Sequence, residues 1–450
     1  MPCCMTSSGA TIRSPRFPLM FPRSWAVAML GVWLAAPLGV SAEGLPDPEA
    51  VRLDQLGLMQ GFPPPAQVQI TRDNYLLNYP NSRWAFHHMR ELLPSRNIAR
   101  GLMPPSLLPT GESLRERIDA LDFVGPDGQK LSFADYLRSS YADATLIMKD
   151  GQVIYEAYHQ GMPAESPHML WSLSKSLLGV LAAQLLVEGV LDEQMLVSDY
   201  IPELKHSGWA GATLRQVLDM TAEVAYSETD LQSDVLQYGF AAGLLPTPAQ
   251  YAGPQDIYSY LASIEAAGEH GQGFVYRTVH TEVLGWIMRR ATGMSLAQLF
   301  SERLWQPMGA EQDGYLLLDR LGTEWAGAGF NATLRDLARF AEMMRQDGRF
   351  NGQQIISPEV IADLRRGADQ DAFIASGRDY QPGYSYRSQW WVSHNPDGVY
   401  EALGAYGQLL HINPEVGLVV VRLSSHPLAP SAHTFATTRL AMQALANLLR

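Results

Sequence analysis

Two hairpin signatures set far apart in the chain constrain its fold more than any other feature. The first reads Thr145-Leu146-Ile147-Met148-Lys149, then Asp150-Gly151, then Val153-Ile154-Tyr155-Glu156-Ala157-Tyr158. Asp-Gly between two strand-forming runs favours a tight turn, because both residues tolerate the backbone angles that such a turn needs. The second reads Gly407-Gln408-Leu409-Leu410-His411-Ile412, then Asn413-Pro414-Glu415, then Leu418-Val419-Val420-Val421-Arg422-Leu423. Between them, residues 190–345 read as mostly helical with polar loops, with one clear helix over 283–293. A further helix from about Ala432 to Arg450 closes the chain. This pattern predicts one antiparallel sheet assembled from both ends of the domain, flanked by helices, with a helical insertion: an α/β (α+β) fold.

Residues 1–42 have the pattern of an export signal and are set aside from the fold. Arg13, Arg16 and Arg23 give the basic region, residues 25–36 the apolar core, and Val40-Ser41-Ala42 a small-residue cleavage site before Glu43. The apolar run is short and ends at Pro37, which favours a signal over a retained membrane anchor. Met1 and Met20 both stand as start sites, since the signal is complete without the first nineteen residues. The two cysteines, Cys3 and Cys4, lie in this segment. The mature chain would thus have no disulfide, no thiolate nucleophile and no thiolate metal site. Removing three Arg and no acid moves the net charge from −13 to about −16, which disfavours nucleic acid and anionic lipid as partners. A periplasmic or secreted protein follows, without stable membrane insertion of the mature chain, and the oligomeric state stays open. Residues 43–120 are rich in Pro, as at Phe62-Pro63-Pro64-Pro65, and read as an extended N-terminal arm before a domain over 121–450.

Chemistry enters at Ser172-Leu173-Ser174-Lys175, inside an apolar run that continues to Gly189. Apolar positions 173, 177, 178, 181, 185 and 186 recur at helical period, so Ser172 and Lys175 share a helix face one turn apart. A serine hydroxyl is a poor nucleophile until a base takes its proton. A lysine among apolar neighbours sheds its proton more easily than one in water, and can then be that base. The chain has only four lysines, so one Ser-x-x-Lys arises by chance about 0.3 times. The apolar setting, rather than the spacing, therefore carries the reading. A lysine on a surface helix sits in a polar stripe, and this one has almost no charged neighbour.

A Ser–Lys pair also needs a group to pass the proton to the leaving atom, and two N–H groups to hold the oxyanion. Tyr276, two residues before Thr278 and just ahead of a helix, is a candidate for the first. A tyrosine packed with its hydroxyl on a carbonyl is the alternative. Gly293-Met294-Ser295-Leu296-Ala297 nearly matches a nucleophile elbow, but lacks the last glycine and the strand leading in. The eleven histidines show no tight ligand spacing, and no phosphate loop or dinucleotide fingerprint is present, so neither metal nor cofactor is expected.

Ser172-x-x-Lys175, Tyr276-x-Thr278 before a Leu-Gly helix, and the Gly407-Gln408 strand with Asn413-Pro414 resemble serine hydrolases of the class C β-lactamase-related superfamily. The likeness is nearest to 6-aminohexanoate-dimer hydrolases and kindred esterases. It is strengthened by Arg83-Trp84, by Tyr386-Arg387-Ser388-Gln389-Trp390-Trp391 and by Ser424-Ser425-His426-Pro427. It covers roughly residues 55–450 and implies a β-lactamase/transpeptidase-like fold. It further implies Ser172 as the acylated nucleophile, Lys175 as its activating partner and Tyr276 as the general acid/base. The family's Lys-Thr-Gly or His-x-Gly motif falls at Ala402-Leu403-Gly404, which would make the backbone N–H groups of Ser172 and Ala405 the oxyanion donors. Thr278, Gly404, Tyr406 and Trp390 would line the substrate site. Thr278 stands where many β-lactamases have Asn, and Ala402 replaces the cation that grips a β-lactam carboxylate. Both departures favour a small linear amide or ester as substrate over an antibiotic, unless Arg277, Arg387 or His411 supplies the missing cation. A cell-wall D-Ala peptidase or β-lactamase, and a catalytically silent binding protein, are the alternatives.

Overall fold

A computed structural model describes residues 44–76, 78–430 and 432–450. The expected export signal lies outside the described residues. Seven strands form the central sheet: β1 (Ala142–Lys149), β2 (Gln152–Tyr158), β3 (Ser385–Arg387), β4 (Trp390–Val392), β5 (Tyr400–Gly404), β6 (Gln408–Asn413) and β7 (Leu418–Ser424). Their order is β3-β4-β5-β6-β7-β1-β2, antiparallel throughout. The two hairpins foreseen in the sequence are β1–β2 and β6–β7. They meet along β7–β1, where Val420 pairs with Ile147.

The sheet is covered on both faces, which is why its inner strands are apolar at nearly every position. Leu146, Met148, Val419 and Val421 point into one core, and Ile147, Leu418 and Val420 into the other. Helices α2 (Leu173–Val187) and α4 (Leu334–Arg345) fill the first, while α1 (Phe133–Ser139) and α5 (Ala432–Leu449) fill the second. Helix α4 begins at Thr333, whose hydroxyl accepts from the Asp336 amide, as an N-cap should. The middle of the chain is helical as expected, including α3 (Thr278–Thr292), which starts five residues earlier than the periodicity suggested. It also holds strands that the sequence did not announce. Gly314–Leu317 and Phe330–Ala332 form a second sheet with Ser95–Ile98 and His168–Met169.

One expectation is corrected. Residues 43–120 are not an arm outside the core: Tyr75, Phe86, Met89 and Ile98 are buried within the main cluster. Proline-rich stretches at 62–65 and 103–105 gave the segment its loop character, but the residues between them pack and pair. Through Phe86, whose carbonyl accepts from the Met169 amide at 2.7 Å, this segment braces the turn that leads to Ser172. Among the described residues no helix is long and apolar enough to cross a membrane.

Candidate active site

Ser172 occupies the N-cap of α2, yet its hydroxyl makes no capping bond. A serine there ordinarily accepts from the amide two or three residues on. Here its Oγ instead accepts from Lys175 Nζ at 2.9 Å. Lys175 Nζ also donates to the Gly327 carbonyl at 2.8 Å, so two acceptors fix the amine. Lys175 is 1% exposed. Ser172 above it is only half-buried, so a substrate can reach the hydroxyl while water cannot reach the amine freely.

Tyr276 closes the group from the side. Lys175 Nζ lies 5.2 Å from the centre of its ring, within cation–π range. The ring stacks on Trp391 with centroids 5.5 Å apart and packs edge-on against Tyr386 at 6.0 Å. Helix α3 starts two residues later at Thr278, whose amide donates to the Glu228 carboxylate. Thr278 also abuts Gly327: a Cβ at that glycine would sit 2.7 Å from Thr278 Cγ2. One turn into α3, the buried Glu282 accepts from Tyr238 Oη at 2.7 Å, from the Ala326 amide at 3.0 Å and from the Gly327 amide at 2.9 Å. Burial raises the Glu282 carboxyl above its ordinary range, although these three donors pull the other way. The peptide that orients Lys175 is thus clamped by a carboxylate on the helix that follows Tyr276.

The opposite wall is the end of β5. Gly404 comes so close to the turn before Ser172 that a Cβ there would lie 2.4 Å from the Leu170 carbonyl oxygen. Only glycine permits that approach, and it brings Ala405 beside Ser172. Outside the regular ladders of the described residues, neither the Ser172 nor the Ala405 amide donates to a carbonyl or side chain. Each amide adjoins a non-glycine residue at positive φ: Trp171 at 51° and Tyr406 at 62°. Such conformations persist only where packing enforces them. Here the two rings pack on each other at 4.9 Å, and both pack on Phe86. Gln408 ties the same corner to β7, donating to the Ser424 carbonyl at 2.6 Å and accepting from its amide at 3.0 Å.

The structure therefore brings Ser172, Lys175, Tyr276, Thr278, Gly404 and Ala405 together. Two of the expected lining residues are elsewhere. Trp390 is fully buried, its indole N–H donating to the Ser176 carbonyl at 3.0 Å beneath α2. Its neighbour Trp391, on the other face of the strand, is the one that borders Tyr276. Tyr406 is likewise inside, against Trp171 and Phe86. None of the three candidate cations is free to replace a lysine at Ala402. Arg277 binds Glu223 and the Ala222 and Tyr226 carbonyls. Arg387 binds Asp219 and Asp363. His411 Nδ1 is hydrogen-bonded to Glu401 at 2.6 Å. Ser295, in the near-elbow, caps a helix by accepting from the Gln298 amide. Sequence reasoning missed Glu282 and Gly327. The signal available was slight: an acid directly before the apolar run that begins at Val283 in α3.

Comparison with known proteins gives a consistent result. The Beta-lactamase family matches residues 136–444. The 6-aminohexanoate-dimer hydrolase of Paenarthrobacter ureafaciens is 32% identical over 375 residues, covering 83% of this chain and 92% of that protein. A Bacillus anthracis protein proposed to be a 6-aminohexanoate-dimer hydrolase superimposes with a TM-score of 0.78 at 31% identity, over 86% of this chain and 98% of that one. EstCE1, a hydrolase with promiscuous acyltransferase activity, shares the fold at a TM-score of 0.54 and 20% identity, over 68% of this chain and 95% of its own. The chain belongs to the beta-lactamase family of serine hydrolases and is related to the 6-aminohexanoate-dimer hydrolases.

Proposed function

We propose that this protein is an exported serine hydrolase that cleaves small linear amides or esters through an acyl-enzyme on Ser172. The observation that carries the proposal is the Lys175 amine, buried and held 2.9 Å from a cap serine whose hydroxyl does no capping. Lys175, as the free amine, takes the Ser172 proton while Oγ bonds to the substrate's carbonyl carbon. The oxygen's developing charge falls to the backbone N–H groups of Ser172 and Ala405. Tyr276 gives its hydroxyl proton to the leaving nitrogen or oxygen as that bond breaks, and recovers one from Lys175. Water then attacks the acyl carbon, passes its proton back through the same groups, and releases Ser172 and the acid.

Support for linear substrates comes from Ala402, which stands where the family motif would place a cation, and from the relatives' names. The proposed export rests on the pattern of residues 1–42. A fluorophosphonate probe followed by peptide mass analysis tests the nucleophile: the adduct should map to Ser172, and its absence would favour a silent binding protein. Comparing kcat/KM for a short p-nitrophenyl ester, 6-aminohexanoate dimer and nitrocefin tests the substrate class. A nitrocefin value above both others would favour a β-lactamase or cell-wall peptidase.

A further inference from the structure

Arg378 stands out among the cations around this site. It follows a short helix, Gln370–Ala375, and is half-buried. Its guanidinium carbon lies 4.7 Å from the centre of the Trp391 ring and 5.2 Å from that of Tyr276. Its Nη1 donates to Tyr380 Oη at 2.6 Å and to Gln381 Oε1 at 3.2 Å, both neutral acceptors. Among the described residues it forms no ion pair, and its Nε and Nη2 donors have no hydrogen-bond partner. Arg277, by contrast, is held by Glu223 and two backbone carbonyls, and Arg387 by two carboxylates.

An arginine stacked on aromatic faces uses its π surface for packing and keeps its in-plane N–H groups for a ligand. A Nε–Nη2 edge matches the two oxygens of a carboxylate in a bidentate pair. The position matters as much as the chemistry. Arg378 Cζ and Lys175 Nζ each lie 5.2 Å from the Tyr276 ring centre, so they cannot be more than about 10 Å apart. An extended chain covers ~3.5 Å per three bonds, so no more than about nine bonds span that gap. Arg378 is on the Tyr276 side, which in the proposed mechanism faces the leaving group.

We infer that Arg378 is a specificity-determining residue that binds a terminal carboxylate on the leaving fragment of a linear amide or ester. This rests on the proposed hydrolase reading and names the substrate class within it: anionic chains with the charge several bonds from the scissile carbonyl. It also separates them from β-lactams, whose carboxylate lies close to the ring, beside the strand where Ala402 stands.

The test is calorimetric binding to full-length Ser172→Ala protein, which reads recognition without turnover. The probes are 6-aminohexanoate dimer and its C-terminal carboxamide, identical except for the charge. The dimer should bind at least tenfold more tightly than the carboxamide. Adding Arg378→Gln should remove that difference, with carboxamide affinity unchanged within about threefold, and Arg378→Lys should restore part of it. Equal affinities without the Arg378 change, an equal loss of both probes in Arg378→Gln, or no binding of either would overturn the inference. Melting curves for each variant separate a lost contact from a disturbed fold. Failure of the hydrolase reading shows independently, as no probe adduct at Ser172 in the unsubstituted protein.

Discussion

Lys175 has two acceptors, Ser172 Oγ and the Gly327 carbonyl, and the second decides where the amine can point. Removing the amine with Lys175→Ala should slow turnover about 10³-fold, the usual range for a lost general base. Tyr276→Phe keeps the ring's packing on Trp391 and deletes only the hydroxyl. Turnover should then fall at least about 10²-fold, which would locate the acid/base there. Near-normal turnover in that variant would remove Tyr276 from the mechanism. Glu282 acts at one remove. Glu282→Gln retains an oxygen for one of the two amides but turns an acceptor toward Tyr238 or Ala326 into a donor, so the 326–327 peptide must shift. A displacement of about 1 Å is enough to cost on the order of 10²-fold. The loss should appear in kcat with KM little changed, since Glu282 is buried away from substrate. A matching rise in KM would contradict a positioning role.

The elements differ in how openly the sequence displays them. Helix α2 is legible because its apolar repeat is long and uninterrupted, and it fixes Ser172 and Lys175 on one face by local geometry alone. The β1–β2 hairpin is legible because Asp150-Gly151 sets its register. Strand β4 is not, because three residues are too few to show which of Trp390 and Trp391 faces in. Gly327 and Glu282 escape for another reason: their roles depend on a loop and a helix meeting, and no local pattern encodes that. The same holds for Ser95–Ile98, whose pairing partner lies more than two hundred residues on. Gly404 gives the element-scale prediction. Gly404→Ala must push the end of β5 away from Leu170, separating the Ser172 and Ala405 amides. Activity on a p-nitrophenyl ester should fall at least tenfold, the cost of one misplaced oxyanion donor being about 10²–10³-fold. By contrast, Thr333→Ala removes the cap of α4, and among the described residues the Thr333 side chain bonds only within that cap. It should cost about 1 kcal/mol of stability, read by urea melts, with kcat unchanged.

At the scale of the whole molecule, three buried histidines contribute to the response to acid. Burial lowers His87 and His280 to about 3 and His426 to about 4. The Trp209 indole N–H donates to His280 Nδ1 at 3.0 Å, a bond that only the neutral ring accepts. Unfolded histidines titrate near 6.5, so below that pH the unfolded chain binds protons that the folded chain refuses. Their stabilising contribution is therefore complete above about pH 6.5 and is lost as pH falls toward the folded values. Each histidine adds a slope of about 1.4 kcal/mol per pH unit, or roughly 4 for all three. Stability should therefore fall as pH drops below about 6.5. Urea midpoints at pH 7 and pH 5 check this; equal midpoints would show that the three rings are not held neutral. The β7–β1 pairing carries a different consequence, one for biosynthesis. Strand β1 gains its inner neighbour only when residues 418–424 have been made, so a nascent chain carries an open sheet edge through most of its translation. Premature termination anywhere before β7 would leave that edge exposed, and truncated products should be found in the insoluble fraction or be lost to proteolysis.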